Sequence, residues 1–239
     1  MIIGIDASRA FKKNKSGVEW YANYVIKNIL KIDSKNQFVL YFDEQARRNP
    51  IPSSLKESDS FHVQIKYLHW PFKFLWTQGR LSLEMLFKAP DVLFIPASAM
   101  PIIHPKNTVV TIHDVGFMKF SESYKFLQRV YLRWSTQFAV KHAKKIITIS
   151  EFSKQEIIKY FKADVSKIFV THLGYDKNLF NQDNDVALSD NILNKYKITK
   201  SYLLYVGRLD KKKNIINIIK AFSEFNKNAD YQLVLAGSK

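Results

Sequence analysis

The stretch "YLLYVGRLDKKKN", Tyr202 to Asn214, decides the fold. The apolar run Tyr202–Val206 reads as a buried strand, and it breaks at one glycine and one arginine. Lysines 211 to 213 follow, and then an apolar run resumes at Ile215 with helical spacing to about Asn226. A second strand is expected at Tyr231–Leu235. Strand, tight turn, helix and strand make a β-α-β unit, the element of a parallel sheet. A single unit of this kind cannot bury both faces of its own sheet. It either leans on a first domain or opens a second domain whose remainder is missing.

Upstream, residues 176–200 are polar and read as a linker with a short helix. Residues 1–175 alternate short apolar runs with amphipathic helices. Strands are expected at Ile2–Ile5, Phe38–Phe42, His62–Leu68, Asp91–Ile95, Thr108–Ile112 and Lys145–Ile149. A helix from about Val18 to Ile32 places Tyr21, Val25, Ile29 and Ile32 on one face. Another carries Leu127, Val130, Tyr131, Trp134 and Phe138 on one stripe, and Ser153 with Glu156 has capping-box spacing at the mouth of a third. Strands apolar on both faces and separated by helices imply an α/β, doubly wound parallel sheet covered on each side.

Composition narrows the function. The chain has no cysteine, which excludes disulfides, thiolate metal sites and cysteine nucleophiles. Its apolar runs are too short for a signal peptide or a membrane span, so a soluble, cytoplasmic protein is expected. The net charge of +16 attracts polyanions: phosphorylated small molecules, an anionic membrane face or nucleic acid. No zinc-finger spacing, RNP-type run or basic zipper accompanies the charge, and nucleic acid is not the expected partner.

In open parallel sheets, ligands sit at the carboxyl ends of strands. The polar residues there are Asp6, His113 and Asp114, Ser150, His172 with Gly174, and Gly207 with Arg208. A strand–glycine–helix turn lets backbone N–H groups approach an anion, and the helix terminus adds partial positive charge. Arg208 and Lys213 flank that turn and can clamp a pyrophosphate. A cation about 4 Å from a phosphate oxygen is worth about 4 kcal/mol at an effective dielectric of about 20. The plain alternative is a solvated lysine-rich turn. His113, in "TIHDVGF", is placed to donate to a substrate hydroxyl or is a core histidine; Asp114 orients a sugar or caps its loop. Gly17 either admits a ligand to the first helix or is an ordinary loop glycine. "DND" (Asp183–Asp185) has the letters of a metal site but no strand to position it. No G-x-G-x-x-G or P-loop pattern occurs.

The ordered series "GIDASRAF…SGVEWYANYVIKNIL", "DVLFIPASAMP", "VVTIHDVGF", "ITISEFSKQEIIKYF", "VTHLGYD" and "YLLYVGRLDKKKN" resembles retaining GT-B glycosyltransferases of the family 4 type over nearly the whole chain. The resemblance implies two facing Rossmann-like domains: an acceptor-binding domain at 1–175, and the first β-α-β unit of a nucleotide-sugar domain at 201–239. It implies transfer of a hexose from a nucleotide-sugar to an acceptor hydroxyl with retention, without a metal or other cofactor, in polysaccharide or glycolipid synthesis. Gly17 then lies against the donor phosphate and sugar, His113 is close to the transferred sugar, and Arg208 and Lys213 grip the pyrophosphate; from the strand-end reading, Asp114 is expected to join His113 as the catalytic pair and Gly207 to join the pyrophosphate turn. The family's Glu-x7-Glu element is missing: no two glutamates stand eight apart. On this reading the chain is truncated in its second domain.

Two expectations about partners remain. "YLHWPFKFLWTQGRLSLEMLFK" (Tyr67–Lys88) mixes Trp70, Phe72, Phe74, Trp76 and Leu81 with Lys73, Arg80 and Lys88. It suits either the face of an anionic membrane, with a lipid-linked or envelope glycan as acceptor, or a helix packed into the core. The unfinished β-α-β unit also allows a non-catalytic, acceptor-binding chain that needs a partner chain or a second copy to complete the donor domain.

Overall fold

The computed structural model describes residues 1–12, 14–44, 62–72, 74–181 and 186–237. The chain divides into two compact units, Met1–Leu173 and Gly174–Lys239.

The first unit is built on a sheet in which every strand is parallel to its neighbour. Its strands are β1 (Ile2–Asp6), β2 (Gln37–Asp43), β3 (Val63–Leu68), β4 (Val92–Ile95), β5 (Thr108–Thr111), β6 (Lys145–Thr148) and β7 (Ile168–Val170). They lie in the order β3-β2-β1-β4-β5-β6-β7. The order runs outward in both directions from the β1–β4 pair, where Gly4 faces Leu93. That reversal opens a crevice at the carboxyl ends of β1 and β4, the usual ligand position in such sheets.

Side chains alternate across the sheet with the period of two that a strand imposes. On β2, Phe38, Leu40 and Phe42 join the core that contains Ala22 and Ile26 of helix α1 (Gly17–Ile32). Val39 and Tyr41 join the opposite core. That second core holds Met85 of α2 (Ser82–Lys88), Phe117 of α3 (Gly116–Lys119), Ala139 and Val140 of α4 (Phe126–His142), and Ile157 and Phe161 of α5 (Glu151–Phe161). Both faces are covered, which is why the strands read as continuous apolar runs.

Three details differ from the sequence reading. Helix α1 centres its buried face on Ala22, Asn23 and Ile26, and Ile32 is exposed. Helix α5 starts at Glu151, and its cap is Ser150, whose side chain accepts the Ser153 N–H. The Ser153–Glu156 spacing therefore lies inside the helix. In α4 the buried residues are Ser135, Thr136, Ala139 and Val140, whereas Leu127 is 79% and Trp134 44% exposed. Small residues let the α4 backbone approach the sheet closely; Leu127, Val130 and Trp134 are left outside, Tyr131 is half-buried and Phe138 packs against the core.

The second unit carries α6 (Val186–Lys195), β8 (Tyr202–Val206), α7 (Ile215–Phe225) and β9 (Gln232–Ala236). Strands β8 and β9 are parallel, in register from Tyr202↔Gln232 to Val206↔Ala236. Leu203, Leu204 and Val206 are exposed.

Candidate functional site

In the first unit the switch-point crevice gathers residues from three loops. Asp6 ends β1 and is buried; its Oδ1 accepts the Ser8 N–H at 3.0 Å. Burial pushes its carboxyl above the ordinary range, against the Ser8 hydrogen bonds and the charges of Arg9 and Lys12. Ser16 caps α1, and the Glu19 carboxylate accepts both the Ser16 N–H, at 3.0 Å, and the Ser16 hydroxyl. The capping pair thus sits on α1, where the sequence reading had not placed one. A Cβ added to Gly17 meets nothing within 4 Å, so the helix entry is open to close backbone approach.

His113 follows β5. Its ring meets Tyr21 edge-on at 4.6 Å, and the Tyr21 hydroxyl lies 3.1 Å from that of Thr111. His113 Nε2 stands 3.2 Å from the Pro96 carbonyl after β4. A carbonyl only accepts, so Nε2 carries the proton and Nδ1 of the neutral ring is an acceptor. The sequence reading offered a donor to a substrate hydroxyl or a core histidine; with Nε2 bound to Pro96, the ring nitrogen left over is an acceptor. Burial lowers the His113 pKa, with the Pro96 bond and the Asp114 and Glu19 charges opposing it. Because the folded pKa lies below the ordinary 6.5, the neutral ring's contribution to stability is complete above about pH 6.5 and is lost as pH falls through the folded pKa. His113→Asn is expected to flatten the fall in stability on the acid side of pH 6.5, read by denaturant titrations of both proteins across about pH 5–8.

Asp114 Oδ1 accepts the Gly116 N–H at 2.8 Å and so anchors the start of α3. Ser150 is committed as the α5 cap, and His172 and Gly174 are exposed beyond β7. Asp183–Asp185 and Lys73 lie outside the described residues. Among the described residues, no group of three His, Asp or Glu side chains is arranged to hold a metal ion.

The second unit holds Gly207, Arg208 and Lys213. Gly207 has φ +156° and donates its N–H to the Ala236 carbonyl at 2.9 Å. The Tyr205 hydroxyl donates to the Arg208 carbonyl at 3.1 Å, and a Cβ on Gly207 would come 2.8 Å from that hydroxyl. Gly237 is tighter still: a Cβ there would stand 1.8 Å from the Gly207 oxygen. Tyr205 and Gly237 therefore shape this turn, and the sequence reading named neither. Their signal was the parallel register, which sets Ala236 against Val206 and so the two following glycines side by side. Arg208 and Lys213 are exposed; Arg208 Nε lies 3.9 Å from Asp210 Oδ2, and Lys213 closes the short turn Lys211–Lys213 before α7.

Residues 16–179 match the model of Glycosyltransferase Family 4, and residues 189–239 match that of Glycosyl transferases group 1. The chain belongs to glycosyltransferase family 4. It is 27% identical to O-antigen chain mannosyltransferase B of Escherichia coli over 55% of this chain and 35% of that protein. It is 29% identical to O-antigen chain mannosyltransferase RfbU of Salmonella typhimurium over 75% of this chain and 46% of that one. The chain thus spans between about a third and a half of the length of these curated relatives. The structure of Anabaena HepE in complex with UDP and glucose superposes with a TM-score of 0.63 at 16% identity, over 99% of this chain and 61% of HepE. That likeness is one of fold: an α/β, Rossmann-like GT-B domain followed by the first β-α-β unit of a second.

Proposed function

We propose that the protein transfers a hexose from a nucleotide-sugar to an acceptor hydroxyl with retention, in cell-envelope polysaccharide or glycolipid synthesis. The observation that carries this reading is the Gly207–Arg208 turn, held by Tyr205 and Gly237 at the carboxyl end of β8. It sits in a chain of family 4 that is similar to two O-antigen mannosyltransferases. In this reading the turn N–H groups, Arg208 and Lys213 take up the charge of the leaving diphosphate, with no divalent ion required. Gly17 admits the donor to the start of α1, and His113 Nδ1 accepts a hydrogen bond from a hydroxyl of the reacting sugar. Asp114 holds the loop that carries His113. The first unit receives the acceptor. The test is sugar transfer from radiolabelled nucleotide-sugars to cell-envelope glycan or glycolipid acceptors; no transfer from any of them sinks the reading.

Peripheral association with an anionic membrane face is part of the proposal. Among the described residues no helix is long and apolar enough to cross a membrane. Within Tyr67–Lys88 the apolar residues divide: Trp76 and Leu81 are core, while Phe72 and Phe74 are exposed. Arg80 is bound to Glu84 at 3.3 Å. Helix α4 supplies a better face: Phe126, Leu127, Val130 and Trp134 are exposed beside Arg129 and Arg133, and the helix contains no acidic residue. Such a helix suits an anionic interface. Arg133→Gln is expected to weaken binding to phosphatidylserine-containing vesicles by about 1 kcal/mol, roughly fivefold, with no change for neutral vesicles. Equal sedimentation of both proteins with both vesicles removes the membrane from the proposal.

The exposed Leu203, Leu204 and Val206 of β8 favour a second reading, in which a partner chain or second copy covers this unit. A monodisperse monomer in solution, by light scattering, rules it out for this chain.

A further inference from the structure

Tyr21 lies on α1 four residues after Gly17, and residues four apart share one face of a helix. Its half-buried ring meets the imidazole of His113 edge-on, with centroids 4.6 Å apart and planes at 90°. Its hydroxyl stands 3.1 Å from that of Thr111, the last residue of β5. Thr111 is fully buried, so its hydroxyl is a fixed point. The chain stays paired one residue further, where the Ile112 N–H donates to the Ile147 carbonyl at 2.8 Å. The alternation of the strand therefore sends residues 111 and 113 to the same side of the sheet. Tyr21 spans that pair, with its ring against His113 and its tip on Thr111.

His113 needs such a second support. Its Nε2–H bond to the Pro96 carbonyl, at 3.2 Å, is at the long end of the N–H···O range. One bond at one corner leaves an imidazole free to turn about its Cβ–Cγ axis, and a turned ring puts a carbon where Nδ1 stood. An aromatic ring packed edge-on blocks that turn. The neighbouring acid does not supply the support, because Asp114 is committed to the Gly116 N–H.

We propose that Tyr21 is the positioning residue for His113: anchored by Thr111, it keeps Nε2 on Pro96 and so keeps Nδ1 in a single place. This rests on the reading of His113 Nδ1 as the acceptor for a hydroxyl of the reacting sugar. Tyr21 acts through His113 rather than on the sugar. It also ties the imidazole to the open helix entry at Gly17, one turn away, and so fixes the spacing between the two places that receive the donor.

The first test uses this chain with 13C- and 15N-labelled histidine at about pH 8, where the imidazole is neutral. In the unsubstituted chain the His113 ring is expected to relax as slowly as the backbone, with Nε2 alone protonated. Tyr21→Leu is expected to make the ring mobile and to bring the Nδ1–H tautomer into the average. Tyr21→Phe and Thr111→Val each remove one hydroxyl and should give a smaller effect of the same kind. The double variant should do no more than either one, because both break the same anchor. Ile26→Val, a core change on the same helix, should leave the imidazole undisturbed. If Tyr21→Leu does not fold, the two hydroxyl variants carry the test. An imidazole as rigid in the Tyr21 variants as in the unsubstituted chain overturns the inference, as does equal disturbance by Ile26→Val or additivity of the two hydroxyl changes. In the whole protein, Tyr21→Leu is expected to lower kcat about 10²-fold with KM for the nucleotide-sugar within about twofold, and Tyr21→Phe to recover most of the rate. An unchanged kcat beside a released ring also overturns it. A ring released by Tyr21→Leu, in a protein that transfers nothing before substitution, would refute the proposed function and leave the hold of Tyr21 on His113 standing.

Discussion

Arg208→Ala is expected to lower sugar transfer by the whole protein about 10²–10³-fold, the usual cost of removing one preorganised electrostatic donor from a developing charge. Arg208 is exposed, and its ion pair with Asp210, at 3.9 Å, is loose, so the substitution removes little folding energy. The loss should therefore appear in turnover and in affinity for the nucleoside diphosphate product, with an unchanged unfolding curve. A fall of less than threefold means that the diphosphate is not held here. Arg208→Lys is a useful companion, because a point charge without the planar fork should recover only part of the rate.

Gly237→Ala is expected to do comparable damage through the backbone alone. Its new methyl would lie 1.8 Å from the Gly207 oxygen, and no rotamer relieves a backbone clash. The carbonyl must move, and with it the N–H groups and the Arg208 backbone that follow. Overpacking of this sort costs about 1–3 kcal/mol in stability. A misplacement of about 1 Å at a binding turn costs on the order of 10² in rate. Nucleoside diphosphate affinity and thermal unfolding of the same preparation separate the two effects. If the variant melts lower yet binds the diphosphate normally, Gly237 serves the strand alone and the turn is not the clamp.

Both results depend on local geometry that the sequence showed unevenly. The β8 turn was legible because a glycine and an arginine interrupt an apolar run, and the residues with polar chemistry after β1, β5 and β8 stood out against buried strands. Gly237 was not legible, since its importance lies in a contact with residue 207 that only the parallel pairing creates. His113 was legible as a position but not as a role. Its tautomer is set by the Pro96 carbonyl, which reaches it from the neighbouring strand β4.

Helix α4 shows the same limit at the level of a surface. Its apolar residues recur with helical spacing, which marks a helix, and spacing by itself points that stripe inward. The structure splits it: Ser135, Thr136, Ala139 and Val140 form the buried face with Phe138 packed beside them, while Leu127, Val130 and Trp134 are exposed.

The sequence by itself determined the strands to within a residue or so, the parallel α/β class, the β-α-β start of the second unit and the strong positive charge, because each follows from local periodicity and composition. The tertiary structure decided which face of each helix is buried, which nitrogen of His113 is free to accept and which glycine shapes the turn after β8. Those depend on strand order and register, which bring together residues far apart in the chain and which no local pattern records.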